Sequence, residues 1–174
     1  MRKINAGLSL LTTLLLLAHA IINAVWMLSC GTIEKVGPLM GWILFGLMLT
    51  HACVSIDLAI SAHEGAEKRK CKVYPKLNAA TLFQRISGVA LILFTALHVA
   101  GAAGFMVPPP MVHAIVPAVF FTVALAHAAV SVSKAFISLG IGNAKFIKAA
   151  DIAAKVLCAA TLAASIVGFY LYKV

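Results

Sequence analysis

Charge is scarce in this sequence, and acid is scarcest of all. Only 11% of the 174 residues are charged, with 5 Asp and Glu against 14 Lys and Arg. A soluble domain carries about a quarter of its residues as charges. Hydrophobic residues reach 63%, and the mean hydropathy is +1.04. A chain this short cannot enclose so much apolar side chain in a core of its own. That excludes a soluble enzyme and a disordered chain. Paired-cysteine motifs are missing too. Cys30, Cys53, Cys71 and Cys158 form neither CxxC nor CxxCH, which argues against a Cys-bound zinc, a c-type haem and a disulfide-knotted secreted domain.

What is present is a series of apolar blocks. A membrane-spanning helix needs about 20 residues, and only a helix satisfies its own backbone within such a segment. The blocks predict an all-α bundle of five transmembrane helices filling the chain as one domain, over about 4–28, 38–62, 78–105, 111–136 and 149–172. Pro108-Pro109-Pro110 divides a 48-residue stretch, Ile86 to Ser133, that contains no Asp, Glu, Lys or Arg. Proline lacks the N–H that a helix interior requires. Gly140, Gly142 and Asn143 mark the last turn. The opening Met-Arg-Lys, its apolar run and Ala18-His19-Ala20 also fit a cleaved signal peptide, but the run stays apolar to Leu28, longer than such a peptide's core. Segment I is expected to be retained.

The net charge of +9 would suggest nucleic acid in a soluble domain. Here the basic residues fall between apolar blocks. Arg2, Lys3, Lys68, Arg69, Lys70, Lys72, Lys76, Arg85, Lys134, Lys145 and Lys148 share one side of a five-span chain, against Lys35 and Lys173 on the other. Cytoplasmic loops concentrate Lys and Arg. The asymmetry predicts a cytoplasmic N-terminus and an external C-terminus, in a bacterial cytoplasmic membrane. Trp26, Trp42, Tyr170 and Tyr172 fall near the outer boundary, as an aromatic belt does. No nucleic-acid partner is expected.

Six histidines carry the chemistry. His63 and His113 sit at segment ends. His19, His51, His98 and His127 lie inside segments I to IV, one in each. An ionisable side chain at that depth is costly and usually functional. One alone is as readily a packing residue, but four on consecutive spans are hard to explain that way. At roughly 1.5 Å per residue, His19 and His98 fall in the outer half, while His51 and His127 fall at or inside the midplane. Two stacked His–His pairs suit two bis-histidine b haems in a bundle core, each iron held through one imidazole nitrogen. The other nitrogen needs a carbonyl or hydroxyl partner, for which Thr95, Ser55 and Ser131 are the candidates.

An internal echo supports the pairing. His51-Ala52-Cys53-Val54-Ser55-Ile56 matches His127-Ala128-Ala129-Val130-Ser131-Val132. Segments I–II and III–IV therefore read as two hairpins related by an axis along the membrane normal. Small residues beside the ligands, Ala126, Ala128, Gly101 and Ala102, would admit a flat macrocycle, though small residues also serve plain helix packing.

Five spans with histidines on the first four resemble the dihaem cytochrome b anchor of succinate:quinone oxidoreductases and quinol:fumarate reductases, over nearly the whole chain. Gln84-Arg85-Ile86-Ser87-Gly88 followed by His98 is similar to the family's Q-R-x-[ST]-G…H ligand helix. Ala135-Phe136-Ile137-Ser138-Leu139-Gly140 after His127 is similar to the run that follows its last ligand.

The resemblance implies haem on His51 and His127 near the cytoplasm and on His19 and His98 at the distal side. It also implies a cytoplasmic iron–sulfur subunit bound to a flavoprotein that interconverts succinate and fumarate, with menaquinone or another quinone as the membrane substrate. The basic loop between segments II and III is a docking surface in that picture, though lipid headgroups attract the same charges. Thr81 and Arg85 share a helix face and resemble the family's hydroxyl-plus-arginine quinone contact. Glu34 is the outer acid available to a distal quinol site. Asp57 is read as the one acid within a span. The glutamate that some fumarate reductases carry two residues before the last ligand is Leu125 here, which removes that proton route. Two other functions compete: the cytochrome b anchor of a different flavoprotein reductase, and a haem-free transporter or structural membrane protein.

Overall fold

The structure is a computed structural model describing residues 1–29, 39–68, 79–105 and 110–173. Side chains are described for all of these except 62–68, 102, 110–116, 172 and 173. Five helices account for nearly all of it: α1 Arg2–Leu28, α2 Leu39–Lys68, α3 Ala79–Ala102, α4 Pro110–Leu139 and α5 Ala144–Lys173. All five are long and apolar enough to cross a membrane, so the chain is an all-α, multi-pass membrane protein.

Most boundaries match the sequence expectation within a few residues. α2 runs on to Lys68, into the polar stretch, and α5 starts at Ala144 rather than Ala149. Lysine is a good helix former, so the lysines at these ends do not break a helix. α3 stops at Ala102, and Gly104 follows with φ +78°. Pro110 opens α4, where a missing N–H is already an orphan. Gly140 and Gly142 have positive φ, and Asn143 Oδ1 caps α5 by accepting from the Phe146 N–H at 2.9 Å. A Cβ on Gly142 would also clash with the Phe146 ring, so this turn requires glycine twice over.

Several hydroxyls within the helices are satisfied by the carbonyl one turn back. Thr50 donates to Gly46, Thr122 to Ala118, Thr161 to Leu157 and Ser165 to Thr161. In an apolar medium this removes the cost of a bare hydroxyl.

α4 is the hub. It packs against α5, α1 and α3, while α1 packs against α5, α4 and α2. α2 and α3 touch only lightly. α1 to α4 therefore form a four-helix ring, with α5 covering the α1–α4 side. In the α4 span 44% of residues are buried, against 6% in α2. Leu125, Ala124 and Ala128 are the best-buried residues of α4. α5 approaches α1 through Gly168, where a Cβ would lie 3.2 Å from that of Met27 and 3.3 Å from the Ala24 carbonyl. Small residues let backbones close in this way.

The ring leaves two diagonals. Among the described residues no Cα of α1 lies within 8 Å of α3, and none of α2 within 8 Å of α4. These are the helix pairs that carry the histidines. "Outer" below denotes the end at which α1, α3 and α5 finish.

Candidate functional site

Consider the outer diagonal first. His19 on α1 and His98 on α3 line one cavity of about 770 Å³, a size that holds a large ligand. Its walls are mainly apolar and draw on all five helices, including Leu16, Met48, Phe121 and Phe169. His98 exposes much of its ring there, stacked on Phe120 with centroids 5.1 Å apart. His19 lies over Gly41 of α2, where a Cβ would come 3.7 Å from its Cε1. Asn23 donates to the His19 carbonyl at 2.7 Å. Thr95, expected to hold His98, has a buried hydroxyl with no partner. Trp26 and Trp42 both line this cavity.

On the inner diagonal are His51 of α2 and His127 of α4. His127 lies over Gly88 of α3, where a Cβ would come 3.6 Å from its Cε1. The Ser87 hydroxyl lies 2.7 Å from His127 Nδ1 and donates to the Phe83 carbonyl at 2.6 Å. A hydroxyl has one proton and a carbonyl only accepts. Ser87 therefore accepts from His127 Nδ1–H, which leaves a lone pair on Nε2. This is the tautomer of a histidine that binds a metal through Nε2. His51 Nδ1 is buried without a partner.

The two glycine contacts set two levels in the ring. Gly41, level with His19, precedes His51 on α2 by ten residues, and Gly88, level with His127, precedes His98 on α3 by ten. At 1.5 Å per residue the two levels lie about 15 Å apart.

A polar cluster closes the inner end. Lys134 Nζ donates to Thr81 Oγ1 at 3.1 Å and, in a very short contact, to Gln84 Oε1. Gln84 Nε2 donates to Ser131 at 2.8 Å, and Ser131 donates to the His127 carbonyl at 2.7 Å. Arg85 is exposed one turn along from Thr81. Two expected hydroxyl partners are thus corrected. Ser131 turns back onto the His127 backbone, and Ser55 donates to Asn5 Oδ1 at 3.0 Å. The hydroxyl that holds a ring is Ser87, reached across helices. The Gln-Arg-x-Ser-Gly segment contained it, although spacing along the chain tied that segment to His98.

The chain matches no known protein family, no curated protein and no solved structure.

Of the remaining candidates, Glu34, Lys35 and the loop 69–78 lie outside the described residues. So do the side chains of His63 and His113. Asp57 is exposed on α2. It is not the one acid within a span: α5 carries Asp151, paired with Lys155 one turn on. Cys158 is buried and Cys53 exposed, both as free thiols. Among the described residues no three His, Cys, Asp or Glu converge on a common point. His19 and His98 line one cavity, and His51 and His127 lie on the other open diagonal.

Proposed function

We propose that this protein is a dihaem cytochrome b in the bacterial cytoplasmic membrane. It passes electrons between a cytoplasmic iron–sulfur and flavoprotein pair, acting on succinate or fumarate, and a membrane quinone such as menaquinone. One observation carries this: the four histidines lie two and two, at two depths, on the open diagonals of one helix ring. An iron already held by a macrocycle takes axial ligands from the protein, and a facing pair of imidazoles supplies both. The donor chemistry of both pairs, and the space at the outer one, fit haem. The outer pair lines an apolar cavity of suitable size, glycines lie under one ring of each pair, and His127 is held in the tautomer that leaves Nε2 free. Bound haem would supply a one-electron carrier. The chain's own part is to hold the four imidazoles, keep their surroundings apolar and provide polar groups at the inner end.

The choice of succinate and fumarate rests on the sequence resemblance, and the cytoplasmic N-terminus rests on the basic asymmetry. Thr81 and Arg85 are the proposed quinone contacts at the inner end, with Glu34 at the outer. Docking of the iron–sulfur subunit is assigned to the basic α2–α3 connection. The deciding experiment is a pyridine haemochrome assay with a reduced-minus-oxidised spectrum on purified protein. Two low-spin b haems per chain are expected; no haem, or c-type haem, ends the proposal. Iron–sulfur and flavin subunits are expected to copurify in mild detergent.

A further inference from the structure

The two halves of the chain build the same bridge, and one of them adds a cation. Asn5 precedes His19 by fourteen residues, and Gln84 precedes His98 by fourteen. Ser55 follows His51 by four, as Ser131 follows His127. Asn5 bonds Ser55, and Gln84 bonds Ser131. The amide–serine bridge is thus a repeated feature of the fold. The lysine is not repeated: Leu58 occupies the position equivalent to Lys134. The bridge forms in the first half without any lysine, so Lys134 is not needed to make it.

The lysine does change the bridge's polarity. In the first half Ser55 donates to the amide oxygen of Asn5. In the second, Lys134 occupies the amide oxygen of Gln84, and the amide nitrogen donates to Ser131 instead. A one-way chain of hydrogen bonds then runs from the ammonium to the His127 carbonyl. No carboxylate pairs with Lys134 among the described residues; its two partners are neutral. Lys134 also follows His127 by seven residues on α4, two helical turns toward the inner end. A lysine ammonium at neutral pH is cationic, and at the edge of an apolar bundle its field is only weakly screened.

We propose that Lys134, tethered by Gln84 and Thr81, is the fixed positive charge that raises the reduction potential of the inner haem. This rests on the dihaem function above. Reduction adds one electron to the iron, and a nearby cation favours the more negative state. Lys134 is a positioning residue and contacts no reacting atom.

Redox potentiometry on purified Lys134→Gln, Lys134→Arg and Gln84→Leu tests it, with the inner haem identified as the one missing from His51→Ala. Lys134→Gln should keep two haems and disfavour reduction of the inner one about tenfold, a 59 mV fall for a one-electron couple. The outer haem should not move. Lys134→Arg should stay at the wild-type value. Gln84→Leu removes the tether and keeps the charge, so it should shift the same haem in the same direction by less. It also gives a reading should Lys134→Gln release the haem. An unchanged inner potential in the haem-loaded variants overturns the proposal while leaving the dihaem function standing, and so does an equal shift of both haems. Wild-type protein without haem overturns both.

Discussion

The outer and inner histidine pairs solve one problem with different means. Around His19 and His98 the chain provides space: an apolar cavity, a stacked Phe120 and a hydroxyl, Thr95, left without a partner. Around His127 it provides hydrogen bonds: Ser87 on the ring, Ser131 on the backbone, and Gln84 and Lys134 behind them. A ring held by a buried hydroxyl has its tautomer fixed before anything binds. A ring in an open apolar cavity is fixed by packing and by whatever fills the cavity. The inner site should therefore be sensitive to loss of single polar groups, and the outer site to changes in shape.

The largest expected effects break the pairs themselves. Replacing His51 or His127 with Ala should remove one haem and the same haem, leaving the other in place. Replacing His19 or His98 should do the converse, and replacing His63 or His113 should leave both. Haem content with potentiometry on the six variants decides this. Loss of one common haem from His51 and His98 variants would show that the diagonals do not set the pairing.

Ser87→Ala comes next. It takes the partner from His127 Nδ1 and frees the tautomer. Loss of such a supporting hydrogen bond typically costs 10–100-fold in metal affinity. The inner haem should be retained about that much more weakly on dilution, with the outer haem unaffected. Equal weakening of both would erase the contrast between the two sites.

Thr95→Val probes the outer site in the opposite sense. A buried hydroxyl without a partner costs about 1–3 kcal/mol, and valine keeps nearly the same shape. Haem-free protein should gain stability in a detergent unfolding experiment. A loss would mean that Thr95 has a partner in the folded chain.

The helices, and the placing of one histidine within each of the first four, were legible in the sequence, because composition marks the spans. The start of α5 was not. Lys145 and Lys148 make Ala144–Lys148 look like loop, whereas Asn143 caps a helix that simply runs on through them. Ser87 and Lys134 were legible as residues but not as partners of His127. Which face of α3 meets α4 depends on the rotation of one helix against the other, and an apolar run that must satisfy lipid on one side and protein on the other leaves that rotation undetermined. The Asn5 and Gln84 equivalence was present in the spacing. It becomes visible only once the histidines of segments I and III are superposed, since a lone amide near a helix start carries no mark of its own.

The smallest expected effect concerns that repeated bridge. Asn5→Ala and Gln84→Ala each remove one amide from a serine, and a typical hydrogen bond contributes about 0.5–1.5 kcal/mol net. If the bridges were equivalent, the two variants would lose equal stability. They are not equivalent, because Gln84 also accepts from Lys134 and its loss leaves an ammonium with Thr81 alone. Gln84→Ala should therefore cost more than Asn5→Ala. The excess should disappear when Lys134 is replaced by Leu, the residue its counterpart Leu58 carries. A double-mutant cycle on Gln84 and Lys134 measures that excess directly. A coupling of zero would mean that the lysine reaches past the glutamine to water, and that the two halves of the bundle are held together by the same bridge after all.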